Sequence, residues 1–315
     1  LNTSMYLKVA IIFGILFGFA AVVTFIGTWE KVKPPVKTKL RDSFSEASSV
    51  LRSRSFKIFI GIYLSGQCAM DFVSGMAIYY VDDVLGGYDK GYLTMLMGVL
   101  LSSQLVGMII FTPIMTRTSK RTTILIGAPI RLASTLGLLA FSYAGAPIVP
   151  VLLLSAGVGI GNAATLTSIF AILADMADID ELITSTRRPG IVSGMATFAR
   201  KISAGLSVWF IGLLLSLVGY DTKLAHSGVS QALTTQRGIA MIFIVIPAIL
   251  VVLLLIFGYI FPITNKEFDI VKKEIGRRRG TDNSTTTDDE KRILERVTGF
   301  KYEDLWNVSN EHKVK

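Results

Sequence analysis

The sequence predicts an all-α integral membrane protein with seven membrane-crossing helices, and three observations carry that expectation. The chain of 315 residues is 51% hydrophobic and only 17% charged, with a mean hydropathy of +0.56, whereas a soluble domain carries about 25% charged residues. Its apolar residues lie in long runs without the short alternation of strands, and about 20 helical residues cross a hydrocarbon core roughly 30 Å thick. Basic residues also alternate in density from one connection to the next, as they do when successive connections face opposite sides of a bilayer. The single Cys68 excludes a disulfide framework or a cysteine-based metal site. His226 and His312 lie far apart in sequence, which argues against a metal cluster.

The first apolar run, 5–28, is a helix. No charged segment or cleavage site accompanies Leu1, so the run is not a secretory signal. Residues 29–56 break at Pro34-Pro35 and continue as an amphipathic loop. Further helices are expected at 57–81, 91–115, 122–144, 147–174, 190–219 and 238–262. Residues 263–315 form a polar tail in which 289–306 reads as a short amphipathic helix.

With Lys57, the 29–56 connection carries eight Lys/Arg. Arg117, Lys120 and Arg121 add three on the same side, and Arg187 and Arg188 two more; the opposite side has Lys90, Lys223 and Arg237. The bias places the 29–56 loop in the cytoplasm, and the tail, with Lys272, Lys273 and Arg277 to Arg279, on the same side. The net charge of +9 is thus a matter of topology, with no need of nucleic acid. The first helix then runs from outside to inside, and an odd number of spans is expected upstream.

Ionisable residues at membrane depth cost roughly 2.5–3.5 kcal/mol each and by default mark a pathway or a paired site. Lys201 is the deepest cation, about 16 Å beyond Gly190 on a helix, too deep to snorkel easily. It is expected to face a water-filled cavity or an acid. Arg200 sits about 100° round the same helix; packing towards a neighbouring helix and contact with a substrate are both open to it. Asp71 is the natural partner for a membrane cation, or else lines a cavity. Arg131, about two turns from the cytoplasmic end of its helix, is expected to snorkel and to serve structure alone.

AGVGIGNAA (156–164) lacks the full GxGxxG spacing and no strand precedes it; Gly157, Gly159 and Gly161 read as close helix packing. Gln67, Gln104 and Asn162 either line a cavity or bond across helices. With no Ser/His/Asp or Cys/His set in the chain, an enzyme is not expected. AILADMADIDELITSTRRPG (171–190) ends an apolar run in acids that oppose the helix dipole and so need partners. Arg187, Arg188 and the 117–121 loop are the nearest cations in the expected topology. Either these groups form a solvated loop, or acids and arginines clamp together as a gate latch.

The stretch ADMADIDELITSTRRPGIVSGMATFARK resembles the helix 10–11 region of the glycoside–pentoside–hexuronide:cation symporter family, to which the melibiose permease belongs. That family reads approximately A-D-x-x-D-x-x-E, then R-R-E-G, G and F-x-x-K. The matching residues are Asp175, Asp178, Glu181, Arg187, Arg188, Gly190, Gly194, Phe198 and Lys201. MAIYYVDDVLGG (76–87) and LRDSFSEASSVLRSRSFKIF (40–59) are similar too, the latter to the loop joining the two halves.

The resemblance implies a major facilitator fold of twelve helices in two halves, these seven being helices 6 to 12. Residues 1–28 are then the last helix of the N-terminal half, 29–56 the inter-half loop, 57–262 the C-terminal half and 263–315 the cytoplasmic tail. Helices 1–5 are expected upstream. The implied activity is symport of a glycoside, pentoside or hexuronide with Na+ or H+ across a bacterial-type plasma membrane. In the family the coupling cation is held mainly by acids on N-terminal helices, and no other cofactor is implied. By the same resemblance Lys201 and Thr197 line the central cavity, with Ala196 and Arg200 adjacent. Asp175, Asp178 and Glu181, with Arg187 and Arg188, belong to the cytoplasmic gate.

Three departures bear on the substrate. Pro189 replaces the glutamate of R-R-E-G and is expected to fix the helix start. Leu166 stands where the melibiose permease has an aromatic near the sugar, and Ala196 replaces an amide side chain. A lysolipid or other amphiphile as cargo, and a non-transporting sugar sensor, are the competing readings.

Overall fold

A computed structural model of the chain describes residues 3–27, 48–87, 91–226 and 229–306. Residues 28–47, and with them most of the expected inter-half loop, lie outside the described residues, as do Lys90 and His312. The chain divides into two compact units, residues 1–43 and 44–315. The first contains helix α1, Thr3–Gly27. Its described side chains are exposed throughout, and Phe13 stacks on Phe17 with ring centroids 6.0 Å apart. An apolar helix with this exposure is what lipid or a partner helix surrounds.

The second unit holds six further helices long and apolar enough to cross a membrane. They are α2 (Arg54–Tyr79, continued by a π-helical turn, Tyr80–Val84), α3 (Tyr92–Arg117), α4 (Lys120–Gly137), α5 (Ile148–Thr184), α6 (Pro189–Leu217) and α7 (Leu233–Ile260). The all-α membrane class is as expected, and the ends fall within a few residues of the apolar runs, with one clear exception. Helix α5 does not stop near 174 but runs through the acidic stretch to Thr184, 37 residues in all. At about 1.5 Å per residue it outreaches a hydrocarbon core of roughly 30 Å, which lifts its acidic turns clear of the apolar region.

Local chemistry sets the helix starts and stops. Ser53 and Ser119 cap α2 and α4, accepting from the backbone N–H of Phe56 and Thr122. Ser185, at φ 60°, ends α5 in the left-handed conformation. Pro189 occupies the first turn of α6, where its missing N–H costs nothing.

Helix α5 packs on α3, α4 and α2, while α2 also packs on α6 and α7, and α4 on α7. The glycine run of α5 sits where backbones meet. A Cβ on Gly157 would strike Ser134, one on Gly159 would strike Ser103 and the Leu100 carbonyl, and one on Gly161 would lie 2.7 Å from the Arg131 nitrogen and the Gly127 carbonyl. Helix packing, not nucleotide binding, is therefore the use of this run.

Arg131 departs from expectation. It does not snorkel: it is fully buried, its Nη1 donating to the Gly66 carbonyl at 3.2 Å and to Asn162 Oδ1 at 2.8 Å. Asn162 Nδ2 in turn donates to Gln104 Oε1 at 3.1 Å, so Asn162 and Gln104 bond across helices. The reason lies in the glycines. Gly161 brings α5 against the Arg131 backbone, and the side chain enters the space between α2, α4 and α5 instead of running out along its own helix.

Beyond α7 the tail folds into α8 (Asn265–Arg278) and α9 (Asp288–Thr298), each opened by a capping box, Thr264/Glu267 and Thr287/Glu290. Val271, Leu294, Val297 and Leu305 are buried in the core cluster shared with Phe56, Phe59, Ile179 and Leu182. The Ser55 hydroxyl donates to the Val297 carbonyl, and the Trp306 N–H to the Leu182 carbonyl at 3.0 Å. The tail is therefore part of the fold at the end of the bundle where α5 ends and α2 begins.

Its ion pairs make that docking acid-sensitive. Arg277, 2.9 Å away, holds the Glu290 carboxyl down at about 2, against an ordinary glutamate value of about 4.3. A carboxylate depressed in the folded state contributes stability fully above the unfolded value, and that contribution fades as pH falls towards the folded one. Pepsin cleavage within 265–306 is therefore expected to rise as pH drops from about 4.3 towards 2. Glu290→Gln, with no charge to lose, should flatten that rise; an identical profile would show that another group controls it.

Candidate functional site

Two polar stripes face each other across α2 and α6. On α2 they are Gln67, Asp71 and Ser74, and on α6 Ser193, Thr197 and Arg200, both with the i, i+4, i+7 spacing of one helix face. All six are partly or fully open in the described unit. Hydrocarbon offers such groups no hydrogen bond, so at membrane depth they belong beside water or protein. The stripes are joined by a two-pronged ion pair: Arg200 Nη2 meets Asp71 Oδ1 at 2.7 Å and Nη1 meets Oδ2 at 2.8 Å. Asp71 thus takes the cation-pairing role open to it, and Arg200 packs towards a neighbouring helix through that pair.

Lys201 lies about 18 Å along α6 from Pro189. Its side chain is exposed beside Thr197, one turn away, and forms no ion pair among the described residues. Gly194 and Gly205, on the same side of α6, would place a Cβ in open space. The other residues expected at the cavity separate. Thr197 is exposed and Leu166 is half-buried on α5, whereas Ala196 turns inward with Val192 into the core. Ala196 therefore presents no side chain to this open face.

At the α5–α6 turn the acids and arginines are paired. Lys120, in the first turn of α4, bonds Asp175. Arg187 reaches Asp178 at 3.3 Å and Glu181 at 4.0 Å, but is itself 63% exposed. Arg188 forks onto Asp180 with Nε and Nη2 at 3.0 and 2.9 Å and also donates to Ser49; Asp180 is only 5% exposed. Glu181, equally sealed, accepts from Arg279 of the tail. A polar pocket of about 300 Å³ opens among Asp178, Glu181, Arg187, Lys272 and Arg279.

The geometry is thus a clamp and not a solvated loop. Asp180 as the partner of Arg188, and Arg279 as a partner of Glu181, escaped the sequence reading. The first had a signal, since two forked charges were needed for two arginines. The second had none, because the partners are 98 positions apart.

A family model described as MFS/sugar transport protein matches residues 1–265. The chain is similar to a glucuronide carrier protein homolog of Escherichia coli K12, 28% identical over 221 residues, 69% of this chain and 46% of the relative. It is also similar to an uncharacterized symporter of Synechocystis, 21% identical over 268 residues, 85% of this chain and 49% of the relative. The chain spans about half the length of these curated relatives.

Proposed function

The chain belongs to the MFS/sugar transport protein family, and from that premise we propose that it works within a cation-coupled symporter of a glycoside, pentoside or hexuronide, by alternating access. Residues 57–262 would form one six-helix half, and α1 would end the other. The coupling ion, Na+ or H+, would be held by acids on helices outside this chain. The observation that carries the reading is Lys201: an unpaired cation at membrane depth, open beside Thr197, on the face of α6 that this chain leaves uncovered. Such a charge costs roughly 2.5–3.5 kcal/mol unless water, substrate or a partner acid meets it.

The paired acids and arginines at the α5–α6 turn would act as the latch of the cytoplasmic gate. That side is read as cytoplasmic because Lys120, Arg187, Arg188 and the tail gather there. In membrane vesicles carrying the intact transporter, Lys201→Ala is expected to reduce ion-driven sugar accumulation at least a hundredfold, a loss of about 2.7 kcal/mol or more. Undiminished accumulation would remove Lys201 from the transport path.

One observation favours a second reading, carriage of a lysolipid or other amphiphile. A groove of about 730 Å³ between α2, α6 and α7 is lined by Leu64, Phe72, Phe198, Leu206 and Phe257. Competition by lysolipid against sugar uptake would support it; sugar uptake indifferent to lysolipid would oppose it.

A further inference from the structure

The charges of α2 and α6 do not cancel. Asp71 and Arg200 neutralise each other, and Lys201 remains as one uncompensated positive charge. The pair is not sealed as Arg131 is, for its two side chains keep 23% and 24% of their exposure. An end-on fork consumes one N–H from each terminal nitrogen of Arg200 and one lone pair from each oxygen of Asp71. Nε–H, two outer N–H groups and the remaining carboxylate lone pairs stay available. Adjacent donors and acceptors of this kind match the hydroxyls of a sugar, each of which both donates and accepts.

We propose that the Asp71–Arg200 pair sets the charge selectivity of the substrate site, so that the site takes a monoanionic sugar acid. The pair contacts the hydroxyls, and Asp71, by cancelling Arg200, leaves Lys201 alone to meet one negative charge. This rests on the transport reading above and adds the class of its substrate. A neutral sugar would leave Lys201 uncompensated, and a dianion would lack a second cation. Asp71 acts here through Arg200 as a positioning residue as well as through its own lone pairs.

The charge count makes each substitution directional. Asp71→Asn keeps the side-chain size and leaves Arg200 and Lys201 both uncompensated, so the site becomes more cationic by one. Arg200→Gln leaves Asp71 to offset Lys201 and makes it neutral. The double variant restores the single positive charge.

The test measures KM for methyl β-glucuronide and methyl β-glucoside, which differ by a carboxylate against a hydroxymethyl group, in vesicles carrying the intact transporter. Wild type should prefer the glucuronide. The preference should rise about tenfold in Asp71→Asn and fall about tenfold in Arg200→Gln. In the double variant it should return to near the wild-type ratio, with weaker absolute affinity.

A purely structural pair would change both KM values together and leave their ratio fixed in every variant, which would overturn the proposal. So would a wild-type preference for the glucoside, although transport itself would then stand. Wild type that accumulates neither sugar would defeat the transport reading and the proposal with it. If the single variants fail to reach the membrane, the exchanged pair Asp71→Arg with Arg200→Asp keeps bridge and net charge. It must then keep the glucuronide preference, and its loss overturns the proposal.

Discussion

Gly161→Leu is expected to lower the thermal midpoint of the purified protein by about 6 °C or more, the shift that follows from roughly 3 kcal/mol of overpacking. Even a single Cβ at Gly161 would lie 2.6 Å from the Arg131 Cβ and 2.7 Å from both the Arg131 nitrogen and the Gly127 carbonyl. Two of these obstacles are backbone, and backbone in a packed helix cannot step aside as a flexible side chain does. Helices α4 and α5 would have to separate, and the separation would reach further. Arg131 would leave Asn162 Oδ1 and the Gly66 carbonyl, and those are the bonds that join α2, α4 and α5 in the interior. Gly98 on α3 is the control, because a Cβ there meets nothing within 4 Å. Gly98→Leu should leave the midpoint within a degree or two, and equal losses at both positions would show that leucine in any apolar helix of this chain is harmful.

The same two residues show what the chain discloses before its structure is known. Gly157, Gly159 and Gly161 are legible as packing positions, because small residues in an apolar helix have few other uses. The seven spans are legible for a similar reason, since length and hydropathy leave little choice in a bilayer. Arg131 was misread because its depth along α4 says nothing of which face it occupies. Burial depended on Gly66 and Asn162, from two other helices.

The tail divides in the same way. The T-x-x-E boxes at Thr264 and Thr287 mark the starts of α8 and α9 to anyone reading for caps, yet only α9 was expected. That the tail carries a partner for Glu181 depends on how α8 docks, which local pattern does not encode. At the site, Lys201 and Thr197 stood out by depth and resemblance. Ala196 was placed beside them on sequence adjacency, while α6 in fact turns its side chain inward.

The latch makes the second large prediction, and its content is a contrast between neighbouring acids. Asp180→Ala is expected to cost about 3 kcal/mol, near the lower end for breaking a buried pair. Asp178→Ala should cost less than about 1 kcal/mol, as exposed pairs do. Both acids face an arginine of the same Arg187-Arg188 dipeptide, so composition cannot tell them apart. Burial can. Arg188 keeps 17% of its side-chain exposure and Asp180 5%, whereas Arg187 keeps 63%.

With Asp180 removed, Arg188 would retain the Ser49 hydroxyl at 3.3 Å and no carboxylate fork. Its charge is partly wetted, which sets the expectation at the lower end. Thermal midpoints of Asp180→Ala, Arg188→Ala and the double variant would form a cycle. A coupling of 1 kcal/mol or more would identify the fork as the stabilising unit, since residues in direct contact couple by about 0.5–3 kcal/mol. Near-zero coupling, or an Asp178→Ala loss as large as that of Asp180→Ala, would mean that the cluster acts as a diffuse field. A latch built from one sealed fork and several exposed pairs can open in steps, with Arg187 released first and Arg188 last; a diffuse field would have no such order.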